Sequence, residues 1–80
     1  MTGMIKEHDR IVLTGDLPAE RLKAGDVGTV VHVHTGGQAF EVEFLTLDGK
    51  TAAIATVPSS HVRSVSSQDL THARPVSPSR

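Results

Sequence analysis

The sequence contains no cysteine, no tryptophan and no tyrosine, and its only aromatic residues are Phe40 and Phe44. Without cysteine there is no disulfide framework, no thiolate zinc site and no cysteine nucleophile. With so few aromatics the core must be built from Val, Ile, Leu and Ala, in a chain of 80 residues that buries only about 60% of its unfolded surface. At this length a single domain is expected. At this size burial and ordering entropy roughly cancel, so we expect modest stability, helped by a partner or by self-association. No run approaches the roughly 18 apolar residues of a membrane span. The segment Met1-Thr2-Gly3-Met4-Ile5-Lys6-Glu7-His8 lacks the apolar centre of a secretory signal, so a cytoplasmic location is expected. An excess of charge is missing too: the formal net charge is −1, which removes the long-range attraction of a basic domain for nucleic acid.

What is present reads as strands and turns. Met1-Thr2-Gly3 is either an extension or a segment before an alternative start at Met4, and is given no structural role. Arg10-Ile11-Val12-Leu13 is a short β-prone run closed by Thr14-Gly15-Asp16-Leu17-Pro18. Residues 18–23 allow one helical turn, too short to stand alone. Residues 26–34 form a strand rich in β-branched residues, with Val27, Thr29, Val31 and Val33 on one face and Val30, His32 and His34 on the other, outer face. Thr35-Gly36-Gly37-Gln38 supplies the positive φ of a hairpin turn. In residues 39–45, Phe40, Val42 and Phe44 point inward while Glu41 and Glu43 point to water. Asp48-Gly49 is a second hairpin signal, leading to a strand over residues 51–57. Pro58-Ser59-Ser60-His61 breaks the sheet through a tight helical turn before a last short strand, Val62-Arg63-Ser64-Val65. Five strands closing on one core, an all-β small barrel over residues 4–65, solve the edge problem of an open meander. Residues 66–80, rich in Ser and Pro, are expected to form a disordered tail.

The stretch from Leu22 to Val31, Leu-Lys-Ala-Gly-Asp-Val-Gly-Thr-Val-Val, preceded by Asp9-Arg10-Ile11-Val12-Leu13, resembles the opening of Src-homology-three-like and KOW-like barrels. Together with Asp16-Leu17-Pro18 and Val42-Glu43-Phe44 it is similar to a bacterial family of domains of unknown function, number 4926. The resemblance covers about residues 4–65. It implies a compact β-barrel and brings no activity, cofactor or catalytic residue. The tail and the loop around Glu20 and Arg21 fall outside what it explains.

Gly25-Asp26-Val27-Gly28 lacks the Lys-Ser/Thr pair of a phosphate-binding loop, and no helix follows it. It reads as a structural turn, Asp26 capping it while Gly25 and Gly28 allow tight backbone geometry at a barrel corner; Gly36, Gly37, Asp48 and Gly49 are the other turn residues. His32 and His34 project from one face, with His61 or a carboxylate as a conceivable third metal ligand. Two histidines without cysteine or a fixed acid are too little for a metal site, so no metal and no cofactor are expected. Across the hairpin, Glu41 and Glu43 should lie near His32 and His34. That patch is either a solvated face with mild cross-strand pairing or a recognition surface. No Ser, His and acid set forms a catalytic arrangement, Ser59-Ser60-His61 being too local, and a filled small barrel leaves little room for a substrate cavity.

A non-catalytic protein-binding module is therefore expected, such as an antitoxin, immunity protein or accessory partner of a neighbouring gene product. Its candidate contacts are His32, His34, Glu41, Glu43, Arg21 and Lys23, together with open strand edges. The first alternative is weak nucleic-acid binding through Arg21 and Lys23, helped by Arg63, Arg74 and Arg80. Against it, six basic residues face eight acidic ones across residues 4–65, a balance of −2, and no aromatic platform is exposed. The second is self-assembly through edge strands or the outer face bearing Val30.

Overall fold

The computed structural model describes residues 4–76. Met1-Thr2-Gly3 and residues 77–80 lie outside the described residues, and with them the readings placed there, that of Arg80 included. Five strands form one antiparallel sheet: β1 (Arg10–Leu13), β2 (Val27–Val33), β3 (Ala39–Leu45), β4 (Thr51–Pro58) and β5 (Val62–Ser64), in the order β4-β3-β2-β1-β5. Three 3₁₀ turns punctuate them, Pro18–Glu20, Thr35–Gly37 and Ser59–His61. The fold is all-β, as the turn and alternation pattern predicts, and is consistent with a Src-homology-three-like barrel. It is not a closed one. No ladder joins β4 to β5; the 3₁₀ turn carries the chain between them, held where the Thr14 N–H donates to the His61 carbonyl at 2.7 Å.

Ile11, Leu13, Leu22, Val30, Phe40, Val42, Phe44, Ala55 and Val57 form the buried cluster, with Ile5, Leu17, Val33, Ala53 and Val62 packed against it. The alternation in β3 is as expected: Phe40, Val42 and Phe44 are all buried. The face assigned to β2 is corrected. Val30 is fully buried, while Val27 and Val31 are 42% and 43% exposed. Two causes combine. Gly28 faces the core, and a Cβ there would stand 2.5 Å from Val42 Cγ1 and 2.9 Å from the Phe44 ring, so the core face of β2 begins on a residue with no side chain to reveal it. A register shift then falls between Val30 and His32, leaving Val31 as an extra residue; His32 faces out again and Val33 packs inward. Self-assembly through an outer face bearing Val30 loses its surface for the same reason. Gly28 thus lies within β2, opposite Ile11, and not in a turn.

The segment after β5 has no helix or strand among its described residues, 65–76, in keeping with its composition. Up to residue 76 it nevertheless follows a path with side-chain contacts to the barrel. Arg63 donates twice to Asp69, at 3.0 and 2.8 Å, and further on His72 and Arg74 meet Asp26.

Candidate functional site

Asp26 immediately precedes β2, and the turn before it is tight because Gly25 adopts φ +97°. The expected capping is present: the Lys23 N–H donates to Asp26 Oδ2 at 2.9 Å. Sequence reasoning did not find its other partners. Arg74 Nε donates to Oδ1 at 2.8 Å and Arg74 Nη2 to Oδ2 at 2.6 Å, a two-pronged guanidinium pair. His72 Nε2 lies 3.1 Å from Oδ1, and Arg74 Nη2 also donates to the Arg21 carbonyl at 3.1 Å. The Asp26 side chain is only 11% exposed. Nothing in a single sequence pairs residues 46 and 48 positions apart.

A half-open groove of about 570 Å³ lies beside the core. It is lined by Asp26, Val27, Phe44, Leu45, Leu47 and Ala53 of the domain and by Arg74 and Pro75 of the tail. Leu47 is fully exposed and Leu45 about half, so the rim of the groove is apolar and wet.

A second cluster lies towards the Gly36-Gly37 turn. Glu41 pairs with His32 across the hairpin, and its Oε2 lies 2.7 Å from His34 Nε2 and accepts from the Thr56 hydroxyl at 2.6 Å. The Thr56 and His34 hydrogen bonds hold the Glu41 carboxyl below its usual range. The imidazoles of His32 and His34 meet edge to face at 5.3 Å. Glu43, by contrast, stands opposite Thr29 and Ile54 and accepts from the Thr51 hydroxyl, so it does not join the histidines. His61 is elsewhere, its ring over Gly15. Among the described residues no group of three or more His, Cys, Asp or Glu could hold a metal ion. Arg21 caps the first 3₁₀ turn in the left-handed conformation at φ 60°, and both Arg21 and Lys23 serve the Asp26 region through backbone atoms. The other turn residues are placed as read: Gly36, Gly37 and Gly49 have positive φ, and Asp48 accepts from the Thr46 hydroxyl.

Two aspartates tie the tail to the barrel, and both are held below their ordinary pKa. Burial alone would raise Asp26; hydrogen bonds from Arg74 and the Lys23 N–H, the Arg74 charge and the His72 contact outweigh it. Arg63, followed by the Ser66 N–H, lowers Asp69 to about 2. A carboxyl depressed in the folded state contributes stability above its unfolded pKa of about 3.9 and loses it as pH falls through the folded value. The Arg63–Asp69 contact should therefore persist at pH 4 and dissolve towards about pH 2, and the contacts at Asp26 should likewise be lost in acid. A carbon-detected NMR titration measures this directly; carboxyl midpoints near 3.9 for both residues would show the tail unheld.

Among the described residues no helix is long and apolar enough to cross a membrane. The family model described as Domain of unknown function (DUF4926) matches residues 7–64. No curated protein and no solved structure matches the chain. The matched span contains all five strands, Asp26 and the loop of Glu20 and Arg21 that the resemblance seemed to leave out, and it stops before the tail. Covering well over half of the sequence, the match places this chain in the family Domain of unknown function (DUF4926).

Proposed function

We propose that this chain is a non-catalytic protein-binding module that takes an extended segment of its partner along the free edge of β4. One observation carries the reading. β4 is the longest strand, eight residues of sequence Thr-Ala-Ala-Ile-Ala-Thr-Val-Pro, it lies at the end of the sheet order, and it contains no charged residue. Sheet edges are normally blunted by charge, by short strands or by a covering segment, because unpaired N–H and C=O groups template another strand. The opposite edge has all three devices: β5 spans three residues, carries Arg63, and leads into a tail bonded back to that arginine. The β4 edge has only Pro58 at its end. Ile54, 59% exposed near the middle of β4, adds an apolar side chain to the backbone hydrogen bonds an incoming strand would form.

Nucleic-acid binding draws less support, since Arg63 and Arg74 are engaged by Asp69 and Asp26. The discriminating experiment is a pull-down from the native host with nuclease treatment, using the wild type and Ile54→Lys. Because Ile54 is exposed, the substitution should alter stability by no more than about 0.5 kcal/mol. The expected result is a nuclease-resistant protein recovered in stoichiometric amount by the wild type and lost with Ile54→Lys, whose binding perturbs β4 amide resonances. Equal recovery by both, or none above background, overturns the reading; recovery that disappears with nuclease replaces it with the nucleic-acid one.

A further inference from the structure

We propose that the groove at Asp26 is a binding site for an extended, arginine-bearing peptide segment of a partner protein, and that this chain's own residues 72–76 occupy its Asp26 end in cis. The site adjoins the start of β4, whose Ala52 and Ala53 line the groove, but it is centred on Asp26 and its test does not require a strand on the β4 edge. Asp26 is a buried carboxylate whose two oxygens face the groove in the geometry that a guanidinium matches with two parallel bonds, and Arg74 makes both. The neighbouring Arg21 carbonyl takes a third bond from the same guanidinium, which fixes the plane in which it must enter. Asp16 adds a second negative charge that favours a cation there.

The rest of the site is shaped to a peptide and not to a free cation. His72 lies over Gly25, where a Cβ would come within 3.1 Å of its ring, so the backbone there is a floor for a flat side chain two residues before the arginine. After Arg74 the tail continues with Pro75 and Val76, which line the same groove as Val27, Leu45 and Leu47. Residues 65–76 form no helix or strand, so side-chain contacts hold this segment, those at Asp26 and the Arg63–Asp69 pair before them. The family match ends at residue 64, so Asp26 and the apolar wall belong to the matched domain while the plug is an appendage to it. A domain with such a groove and a tethered pseudo-ligand resists weak competitors. A short tether gives an effective concentration on the order of mM, so a tail of intrinsic Kd about 0.1 mM weakens a free competitor about tenfold.

The test uses the full chain and, as probe, an acetylated and amidated peptide of residues 71–76, Thr-His-Ala-Arg-Pro-Val. The variant His72→Ala/Arg74→Ala opens the groove without touching the barrel. By NMR titration it should bind the peptide at least tenfold more tightly than the wild type does, with shifts at Asp26, Val27 and Leu45. Adding Asp26→Asn, which keeps an oxygen for the Lys23 N–H and so the turn, should remove binding while the circular dichroism spectrum stays that of the folded chain. A peptide with Arg74→Lys should lose most of its affinity, because an ammonium cannot make the paired contact. No binding by the opened variant, equal binding by the wild type, or binding that survives Asp26→Asn overturns the proposal. A second copy's tail is chemically the same ligand, so light scattering of the wild type is the control: a dimer that disappears with Arg74→Ala overturns the cis assignment, and a single 8.5 kDa species upholds it.

Discussion

Phe44→Ala is expected to leave the domain largely unfolded at 25 °C. Removing a buried phenylalanine costs about 3–5 kcal/mol in transfer and cavity terms, and Phe44 is 3% exposed. Against that stands the stability of a domain this size, roughly 4–12 kcal/mol at about 0.05–0.15 kcal/mol per residue. This chain belongs near the lower end, since its core has two aromatics and otherwise small aliphatic side chains. Relaxation around the gap is limited on one side, because the Phe44 ring rests against the Gly28 backbone, where no side chain can swing in to fill it. Urea unfolding followed by circular dichroism should give a midpoint near zero denaturant, with the slope of the transition unchanged if any transition is left. A loss below about 1 kcal/mol would show that the ring contributes little to the core.

Much of this fold was legible because β3 alternates without interruption. Phe40, Glu41, Val42, Glu43 and Phe44 can satisfy only one strand orientation, and the two glycine-bearing turns on either side set its neighbours antiparallel. β1 was equally clear as a β-branched run stopped by Gly15 and Pro18. β2 was not, although it looked the easiest. Read with a period of two, Val27, Val31 and Val33 share one face and Val30 alone takes the other, so apolar count favours the wrong face, and the decisive residue, Gly28, is silent in any hydropathy pattern. The bulge at Val31 then breaks the period of two on which the reading depends.

The site was less legible than the fold, for a reason of distance along the chain. His32, His34 and Glu41 come together because a hairpin makes near neighbours of residues seven to nine apart, which spacing alone predicts. Glu43 was misplaced beside them because the same bulge shifts the register. Asp26 and Arg74 lie 48 positions apart with four strands between them, and a Ser- and Pro-rich tail carries no periodic signal of docking. Nor does a sequence show which strand ends a sheet. The lack of charge in β4 was visible from the start, but it acquires meaning only from the sheet order, which makes β4 an edge.

Gly28→Ala should be the most damaging single-methyl addition in the strands. Its φ is not in the left-handed region, so alanine suits the backbone and in open space would stiffen the strand. The effect is decided by space. The new Cβ would lie 2.5 Å from Val42 Cγ1 and 2.9 Å from Phe44 Cδ2 and Cε2, closer than carbon atoms approach, so Val42 and Phe44 must move or β2 must lift from β3. Val42 is fully buried between Phe40 and Phe44 along the same face, so any shift it makes must displace other core side chains. Overpacking of this kind costs about 1–3 kcal/mol, which should appear as a lower urea midpoint with unchanged secondary structure. Steric origin makes a further, sharper expectation. Val42→Ala alone leaves a cavity and destabilises, but in the Gly28→Ala background it removes the closest clash, so the double variant should be more stable than the sum of the two losses by about 0.5–3 kcal/mol. Strict additivity would instead assign the glycine's role to the backbone.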